Sequence, residues 1–360
     1  MKILVYGAGP LGSLFAGRLV EAGHDVSLLA RGKRLEQLRQ YGLVLENVQT
    51  GEQSITYPNI IERLEPEDAY DLVLVIMRKN RVYGVLPALQ ANQHTPNVLF
   101  LMNNAAGPGE FVASLGMKRV LVGFPSSAGY RKEHVMCYLG GSEDRLVSIP
   151  IGEVDGSITD RTWMVADALA SMYGYQVEIR TDMDAWLKTH VALLMPSLAA
   201  ALYACGTDNY RLARTRDGVV LGARAIREGF KVLRALRVPI VPKTMKLFEL
   251  LPEPLLVPYA RRLLQAKTME TALVGHAQAA RDEIKHLADE FLALAAQADV
   301  PIPNIRRLYP YFDPATPPIP DGSAEIPLDW RSTAALLAGT AGFIALGIVV
   351  GKALTGRNRD

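Results

Sequence analysis

The feature that most constrains this chain is a glycine-rich turn between a short apolar strand and an amphipathic helix. Residues 2–6 form an apolar run typical of a buried parallel strand, and apolar residues recur at helical spacing after the turn. The turn has G-x-G-x-x-G spacing and comprises Gly7, Gly9, Pro10, Leu11 and Gly12. In this context the glycines permit a tight turn, close approach of a pyrophosphate and close packing of the helix, whose N-terminus faces the phosphates. The sequence therefore predicts a dinucleotide-binding βαβ unit, and the alternative is a turn that is merely tight.

The second strand, "DVSLLAR", ends in Arg31. A site that prefers NAD usually carries an acidic residue here for the ribose 2′-hydroxyl, whereas an arginine suits a 2′-phosphate. Lys33 and Arg34 add positive charge close by. We therefore expect NADP(H) as the cofactor, and the alternative is a solvated basic loop.

Further apolar runs at 71–77, 97–103, 119–125, 145–152 and 175–180 read as strands. They predict an α/β fold in which residues 1–180 form a Rossmann-type, doubly wound sheet. Ligands of such sheets bind beyond the carboxyl ends of the strands, where two loops here are polar. We expect Arg78 to join Arg31 at the phosphate, and Asn104 to bond the nicotinamide ribose or the substrate. Asn104 as a simple turn residue is the alternative.

Residues 181–312 change to helical spacing and predict an all-helical domain. Residues 182–204 predict one long helix, bent at Pro196. Lys188 lies near its start in apolar company, either as a snorkelling surface residue or as a desolvated catalytic acid. Residues 269–298 predict a second long helix, on which His276 and Glu283 share one face. The alternative for that pair is a charged, solvated face with one packed histidine.

The C-terminal region differs from the rest in composition. Residues 313–330 are rich in proline and predict a linker, and residues 332–351 form a run of about twenty residues without charge. That length matches one bilayer span, so we expect a transmembrane helix over residues 331–352 that anchors a cytoplasmic enzyme to a membrane. The alternative is a buried oligomerisation helix. The formal net charge of +2 argues against a nucleic-acid partner, and no residue cluster indicates a metal site.

Five motifs in order, "GAGPLG", "VIMRKNR", "NNAAG", "AWLK" and "ARDEI", make residues 1–312 similar to the ketopantoate reductase (2-dehydropantoate 2-reductase) family. The resemblance implies NADPH-dependent reduction of a 2-oxo acid, 2-dehydropantoate to (R)-pantoate in pantothenate and coenzyme A biosynthesis. It implies Lys188 as general acid, Glu283 as the group that orients the substrate hydroxyl, and Asn104 as the turn asparagine. Arg31 and Arg78 match the positions that hold the 2′-phosphate.

The chain departs from the family pattern in the residues that bind substrate. The family carries asparagines four and eight residues after the lysine, where this chain has Ala192 and Pro196, and the family's serine falls at Thr271. His190 and His276 are candidates for replacement donors. A site loses heavily when its hydrogen-bonding groups vanish, so this departure concerns the identity of the substrate and leaves the expected cofactor and reaction type unchanged. A different carbonyl or imine substrate, a non-catalytic NADPH-binding sensor and a homodimer all stay open.

Overall fold

The computed structural model describes residues 1–330. The expected transmembrane segment lies outside the described residues. The fold is α/β, with a sheet-containing N-terminal half followed by a helical half.

The N-terminal half contains the following strands: β1 (Lys2–Tyr6), β2 (Asp25–Leu29), β3 (Leu43–Asn47), β4 (Gln53–Thr56), β5 (Asn59–Ile61), β6 (Leu72–Val75), β7 (Val98–Leu101), β8 (Val120–Gly123), β9 (Ala128–Lys132), β10 (Val135–Leu139), β11 (Val147–Glu153) and β12 (Tyr175–Ile179). Eight of them form the main sheet in the order β12-β11-β8-β7-β6-β1-β2-β5. All neighbours pair in parallel except β11 with β8. The predicted strands of the doubly wound sheet are confirmed, and the carboxyl ends of β1, β2, β6, β7 and β8 meet at one edge.

Helices cover both faces of this sheet. They are α1 (Pro10–Glu21), α2 (Gly32–Tyr41), α3 (Leu86–Ala91), α4 (Gly109–Leu115) and α5 (Asp160–Ala170). Ile3 and Val5 enter one apolar core while Leu4 and Tyr6 enter the other, because alternate residues of a strand point to opposite faces. Burial on both faces explains why the strands read as continuous apolar runs rather than alternating ones.

A second sheet, which the sequence pattern did not predict, has the order β4-β3-β10-β9. It packs against α1, where a Cβ added at Gly17 would lie 2.7 Å from Leu45 Cδ1. The pairing of β3 with β10 joins segments about ninety residues apart, which no local pattern indicates.

The helical half contains α6 (Met183–Leu193), α7 (Ala200–Ala204), α8 (Asn209–Arg214), α9 (Arg216–Ala235), α10 (Leu247–Leu250), α11 (Glu253–Leu264), α12 (His276–Ala279), α13 (Arg281–Ala298) and α14 (Pro303–Leu308). A π-helical turn, Leu194–Ala199, joins α6 to α7 around Pro196. The long helix over 182–204 is therefore present, and its irregularity lies where the proline was expected to bend it, since proline removes one hydrogen bond of the helix. By length and composition the stretch Met183–Ala204 could cross a membrane, but 67% of its most apolar window is buried inside the protein, so it is a core helix.

The helix predicted over 269–298 is interrupted. A π-helical turn, Glu270–Gly275, leads into α12, and Ala280 leaves the helical conformation with φ −134° and ψ 36° before α13 begins. Periodicity continues across the break because the apolar residues on both sides face the same core, so the sequence pattern alone did not show the interruption.

Residues 313–330 are not the free linker that their composition predicted. They lie against the helical half, and we call them the strap. Buried Asp217 accepts hydrogen bonds from Ser323 Oγ and from the N–H groups of Glu325 and Ile326, the latter two at 2.9 and 2.8 Å. The backbone N–H of Ile319 donates to Ala204 O at 2.8 Å. Proline-rich composition indicates an extended chain, and only the tertiary contacts show that this chain is fixed to the body.

Candidate active site

The glycine turn opens the site at the end of β1. Gly7 has φ +122°, and a Cβ there would lie 2.6 Å from Ile76 O. A Cβ at Gly12 would overlap the Gly7 carbonyl oxygen, whereas a Cβ at Gly9 would meet no atom within 4 Å. The fold itself therefore requires glycine at positions 7 and 12, and the space above Gly9 at the N-terminus of α1 fits a pyrophosphate.

The basic loop after β2 divides into exposed and buried residues. Arg31 and Lys33 are exposed, and Arg31 Nε donates to Glu62 O at 3.0 Å. Arg34 is buried instead and donates to Ser13 Oγ at 3.1 Å, and burial lowers its pKa to about 10. Arg31 and Lys33 therefore face solvent, where a 2′-phosphate could bind. Arg34 points into the protein and stabilises the fold.

Asn104 closes the turn that follows β7. Its side chain is buried, its Nδ2 donates to Gly107 O at 2.9 Å, and its Oδ1 accepts from Gly107 N at 3.0 Å. Both ends of the amide are therefore used within the turn. The structure shows the turn role, and a bond from Asn104 to ribose or substrate stays a prediction.

Lys188 lies beside this turn. Its Nζ donates to Asp184 one helical turn earlier, and 13% of its side chain is exposed. A Cβ added at Gly107 would lie 3.4 Å from Lys188 Nζ and 3.1 Å from Asp184 Oδ1, so glycine leaves room for the ion pair. The ammonium group is thus held near the carboxyl edge of the sheet, largely removed from water, rather than snorkelling to the surface.

Glu283 lies on the first turn of α13 and is buried. Its Oε1 accepts from the backbone N–H of Lys79 at 3.0 Å, and its Oε2 is 3.6 Å from His276 Nε2. His276 and Glu283, which were expected to share one helix face, therefore lie close together. Lys188 and Glu283 are anchored to different loops, since Lys188 meets the loop after β7 and Glu283 meets the loop after β6.

Arg78 is engaged with the same end of α13. Its guanidinium donates to Asp282 Oδ1 at 2.8 Å and to Ala279 O, and Asn80 Nδ2 donates to Asp282 Oδ2 at 2.9 Å. These bonds join the loop after β6 to the helical half. The expected role of Arg78 at a 2′-phosphate stays a prediction and requires it to leave these partners.

Lys79 and Glu290 form a buried ion pair that sequence reasoning did not predict. Lys79 is fully buried, and its Nζ lies 3.4 Å from Glu290 Oε1 and 3.0 Å from Tyr83 Oη. Glu290 Oε2 also accepts from the N–H groups of Ala105 and Ala106, at 3.1 and 3.2 Å. One carboxylate of α13 therefore holds the loops after β6 and β7. The sequence did carry one signal for Glu290: it lies seven residues after Glu283 and therefore on the same face of the helix.

His190 lies in an aromatic stack at the same sheet edge. Its ring is stacked on Trp186 with centroids 5.1 Å apart and lies 4.4 Å from the ring of Phe124, the residue that follows β8. Burial, and then the charge of His276, lower the pKa of His190 to about 4. The ring is therefore neutral near pH 7 and can act as a hydrogen-bond donor or acceptor without charge.

The positions of the family's asparagines do not face a cleft. Ala192 is fully buried, and a Cβ added at Gly229 of α9 would lie 3.2 Å from Ala192 Cβ, so an asparagine does not fit there. Pro196 is buried within the π-turn. Thr271 lies on the second π-turn, and within residues 1–330 no hydrogen bond involves its side chain. Nor does this part of the chain contain a group of three or more potential metal ligands.

Known proteins resemble this chain in sequence and in fold. Residues 3–150 match the family model described as "Ketopantoate reductase PanE/ApbA". The chain is therefore similar to the ketopantoate reductase family over residues 3–150. Among curated relatives, "2-dehydropantoate 2-reductase" of Archaeoglobus fulgidus is 28% identical over 215 residues, covering 59% of this chain and 67% of the relative.

Other similar proteins have lower sequence identity or share a smaller part of their length with this chain. "Uncharacterized oxidoreductase YkpB" of Bacillus subtilis is 29% identical over 195 residues, which span 52% of this chain but only 61% of the relative. The solved "PanE/ApbA family ketopantoate reductase" of Ralstonia eutropha superposes with a TM-score of 0.71 at 20% identity, covering 87% of this chain and 97% of that chain. At this identity the superposition shows a shared fold over both halves of the protein.

Proposed function

We propose that this protein is an NADPH-dependent reductase of a 2-oxo acid, with 2-dehydropantoate as the substrate that the similarity to ketopantoate reductases favours. The observation that carries the proposal is the placement of Lys188, whose ammonium group is held by Asp184 beside the Asn104–Gly107 turn. It lies at the sheet edge where the open glycine turn also ends.

The residues of this chain support a general-acid role for Lys188. A bound nicotinamide would supply the hydride. The Lys188 ammonium group polarises the substrate carbonyl and donates its proton to the alkoxide oxygen, and Asp184 keeps the ammonium oriented. General-acid help of this kind typically contributes about a hundred- to ten-thousand-fold in rate. Glu283, held by the N–H of Lys79, orients the new hydroxyl.

The choice of NADPH rests on the basic loop. Arg31 and Lys33 are exposed after β2, and within that loop no acidic side chain occupies the place that a ribose 2′-hydroxyl needs. An arginine bonds a phosphate through its planar fork of donors, so a 2′-phosphate suits this loop better than a 2′-hydroxyl.

A second candidate keeps the reaction and changes the substrate to another 2-oxo acid, carbonyl or imine. The packing of Ala192 against Gly229 favours this candidate. At this position the chain lacks the asparagine side chain that is expected to bind 2-dehydropantoate. His190 and His276 are our candidates for the hydrogen-bonding groups that contact such a substrate. A sensor without turnover is disfavoured by the mostly buried Lys188 ammonium group, which NADPH binding alone does not require.

The test is NADPH oxidation by the full chain given 2-dehydropantoate, beside Lys188→Met. The matched control is Lys285→Met, which removes another lysine paired with an aspartate four residues away. We expect loss of turnover of about a hundredfold or more in Lys188→Met, with NADPH affinity kept, and near-native activity in the control. Turnover of a different carbonyl but not of 2-dehydropantoate would support the second candidate, and NADPH binding without turnover of any carbonyl would support the sensor.

We also propose that residues 332–351 anchor the enzyme to a membrane, with the catalytic part in the cytoplasm. The support is the length and lack of charge of this run. Membrane fractionation of the full chain beside Ile344→Asp/Ile348→Asp tests it, because two buried carboxylates strongly disfavour insertion. Equal distribution of both proteins would refute the anchor.

A further inference from the structure

One helix of the helical half exposes an apolar face. Leu255, Tyr259 and Leu263 recur every four residues along α11 and are 58%, 58% and 49% exposed. Leu247 and Leu250 on the preceding segment are 52% and 69% exposed. We call these five residues the α11 stripe. The opposite side of the helix is buried in the core, so α11 is apolar on both faces, which is unusual for a helix that only meets water.

The strap brings the chain to this stripe. The backbone N–H of Asp329 donates to Glu253 Oε2 at 2.9 Å, at the first residue of α11, and Arg224 donates to Pro327 O at 2.8 Å. Trp330, which follows, is 61% exposed. The uncharged run begins at residue 332, and two residues span at most about 7 Å. A membrane that receives the uncharged run therefore lies close to the α11 stripe.

The charges around the stripe are mostly positive. Exposed cations of this segment are Lys243, Lys246, Arg262 and Lys267. The two carboxylates among them are neutralised, since Glu249 pairs with Arg234 and Glu253 pairs with Arg224 and Arg227. Leucines with an aromatic residue among them and lysine or arginine around them are the composition of helices that lie on anionic lipid surfaces.

We propose that the α11 stripe docks on the surface of a bilayer that contains anionic lipids. The enzyme then sits directly on the membrane, because the strap leaves no free tether between the body and the start of the uncharged run. The inference is independent of the proposed activity. It differs from the anchor proposal, since the stripe binds lipid by its own apolar and basic residues.

The experiment measures co-sedimentation with vesicles of phosphatidylcholine, with and without phosphatidylglycerol. The full chain carrying Ile344→Asp/Ile348→Asp isolates the stripe from the anchor. We expect this protein to bind the anionic vesicles, more weakly than wild type, and to release as salt is raised. Adding Leu255→Ser, Tyr259→Ser and Leu263→Ser should weaken this binding about tenfold or more, because the apolar area is lost.

The matched control adds Met117→Ser, Tyr57→Ser and Ile158→Ser, three comparably exposed apolar residues of the N-terminal half. This control protein should bind vesicles as well as its parent does.

Equal vesicle binding by the stripe variant and this control overturns the proposal. Failure of the parent to bind anionic vesicles at any salt concentration also overturns it. A dimer, seen by light scattering, that the stripe substitutions dissociate would also overturn it, because a second copy would then cover the stripe. If the wild-type protein sediments with vesicles and the parent variant does not, the anchor proposal stands and the stripe proposal is refuted.

Discussion

Replacing either partner of the Lys79–Glu290 pair should destabilise the protein strongly. Lys79 is fully buried and the Glu290 side chain is 9% exposed, so water screens neither charge. Lys79→Met removes the lysine from a nearly buried carboxylate whose remaining basic neighbour is His286, with Nε2 3.3 Å from Glu290 Oε1, and Glu290→Gln leaves a buried ammonium group. Each single change should lower the free energy of unfolding by about 3–5 kcal/mol.

The double variant Lys79→Met/Glu290→Gln contains neither orphan charge, and its new side-chain amide retains an oxygen for the N–H groups of Ala105 and Ala106. We expect it to lose only about 1–2 kcal/mol, so the two single effects should exceed the double effect by about 4 kcal/mol or more. The assay is denaturant unfolding of all four proteins. The control is Asp289→Asn on the same helix, whose carboxylate pairs with exposed Lys285 and should change stability far less.

Additive single effects in that cycle would refute the argument that the pair is buried and mutually dependent. Activity gives a second readout, because Glu290 also fixes the loop that carries Asn104. We expect kcat of Glu290→Gln to fall together with its stability, while that of the Asp289→Asn control stays near the wild-type value.

The remaining predictions concern single positions. Gly9→Ala should fold normally yet bind NADPH about tenfold or more weakly, whereas Gly12→Ala should unfold more readily, as thermal melting and fluorescence titration will show. The pKa of His190 is lowered from 6.5 to about 4, so the unfolded chain takes up its proton first and stability falls as pH drops from about 6.5 toward 4; His190→Phe should remove that part of the loss of melting temperature. Asp217→Ala should release the strap to limited proteolysis, whereas Asp321→Ala, which removes an exposed pair with Arg214, should not.

Much of the N-terminal fold could be predicted because its signals are local. The strands of a parallel sheet are buried on both faces and appear as apolar runs, and the glycine spacing depends on contacts within one turn. The second sheet could not be predicted in this way. Its strands β3 and β10 come from segments far apart in the chain, and their sequences do not specify each other.

The sites of Lys188 and Glu283 show the same division. Their residue types and spacing predicted that each lies on a helix, and that Glu283 shares a face with His276. Their partners came from other segments: Gly107 beside Lys188, and the backbone of Lys79 against Glu283. Arg34 did not follow its sequence pattern. It lies three residues after Arg31 in the basic loop, yet its side chain is buried and donates to Ser13 Oγ.

By itself, the sequence determined the dinucleotide turn, the order of sheet and helical halves and the helical positions of Lys188 and Glu283. Each depends on periodicity or on spacing within a few residues. Only the tertiary structure decided that the proline-rich strap is fixed to the body, that Glu290 joins two loops and that Ala192 has no room for an asparagine. These facts depend on which distant surfaces meet, and burial against a distant surface changes the energy of a charge or a side chain without any local mark in the sequence.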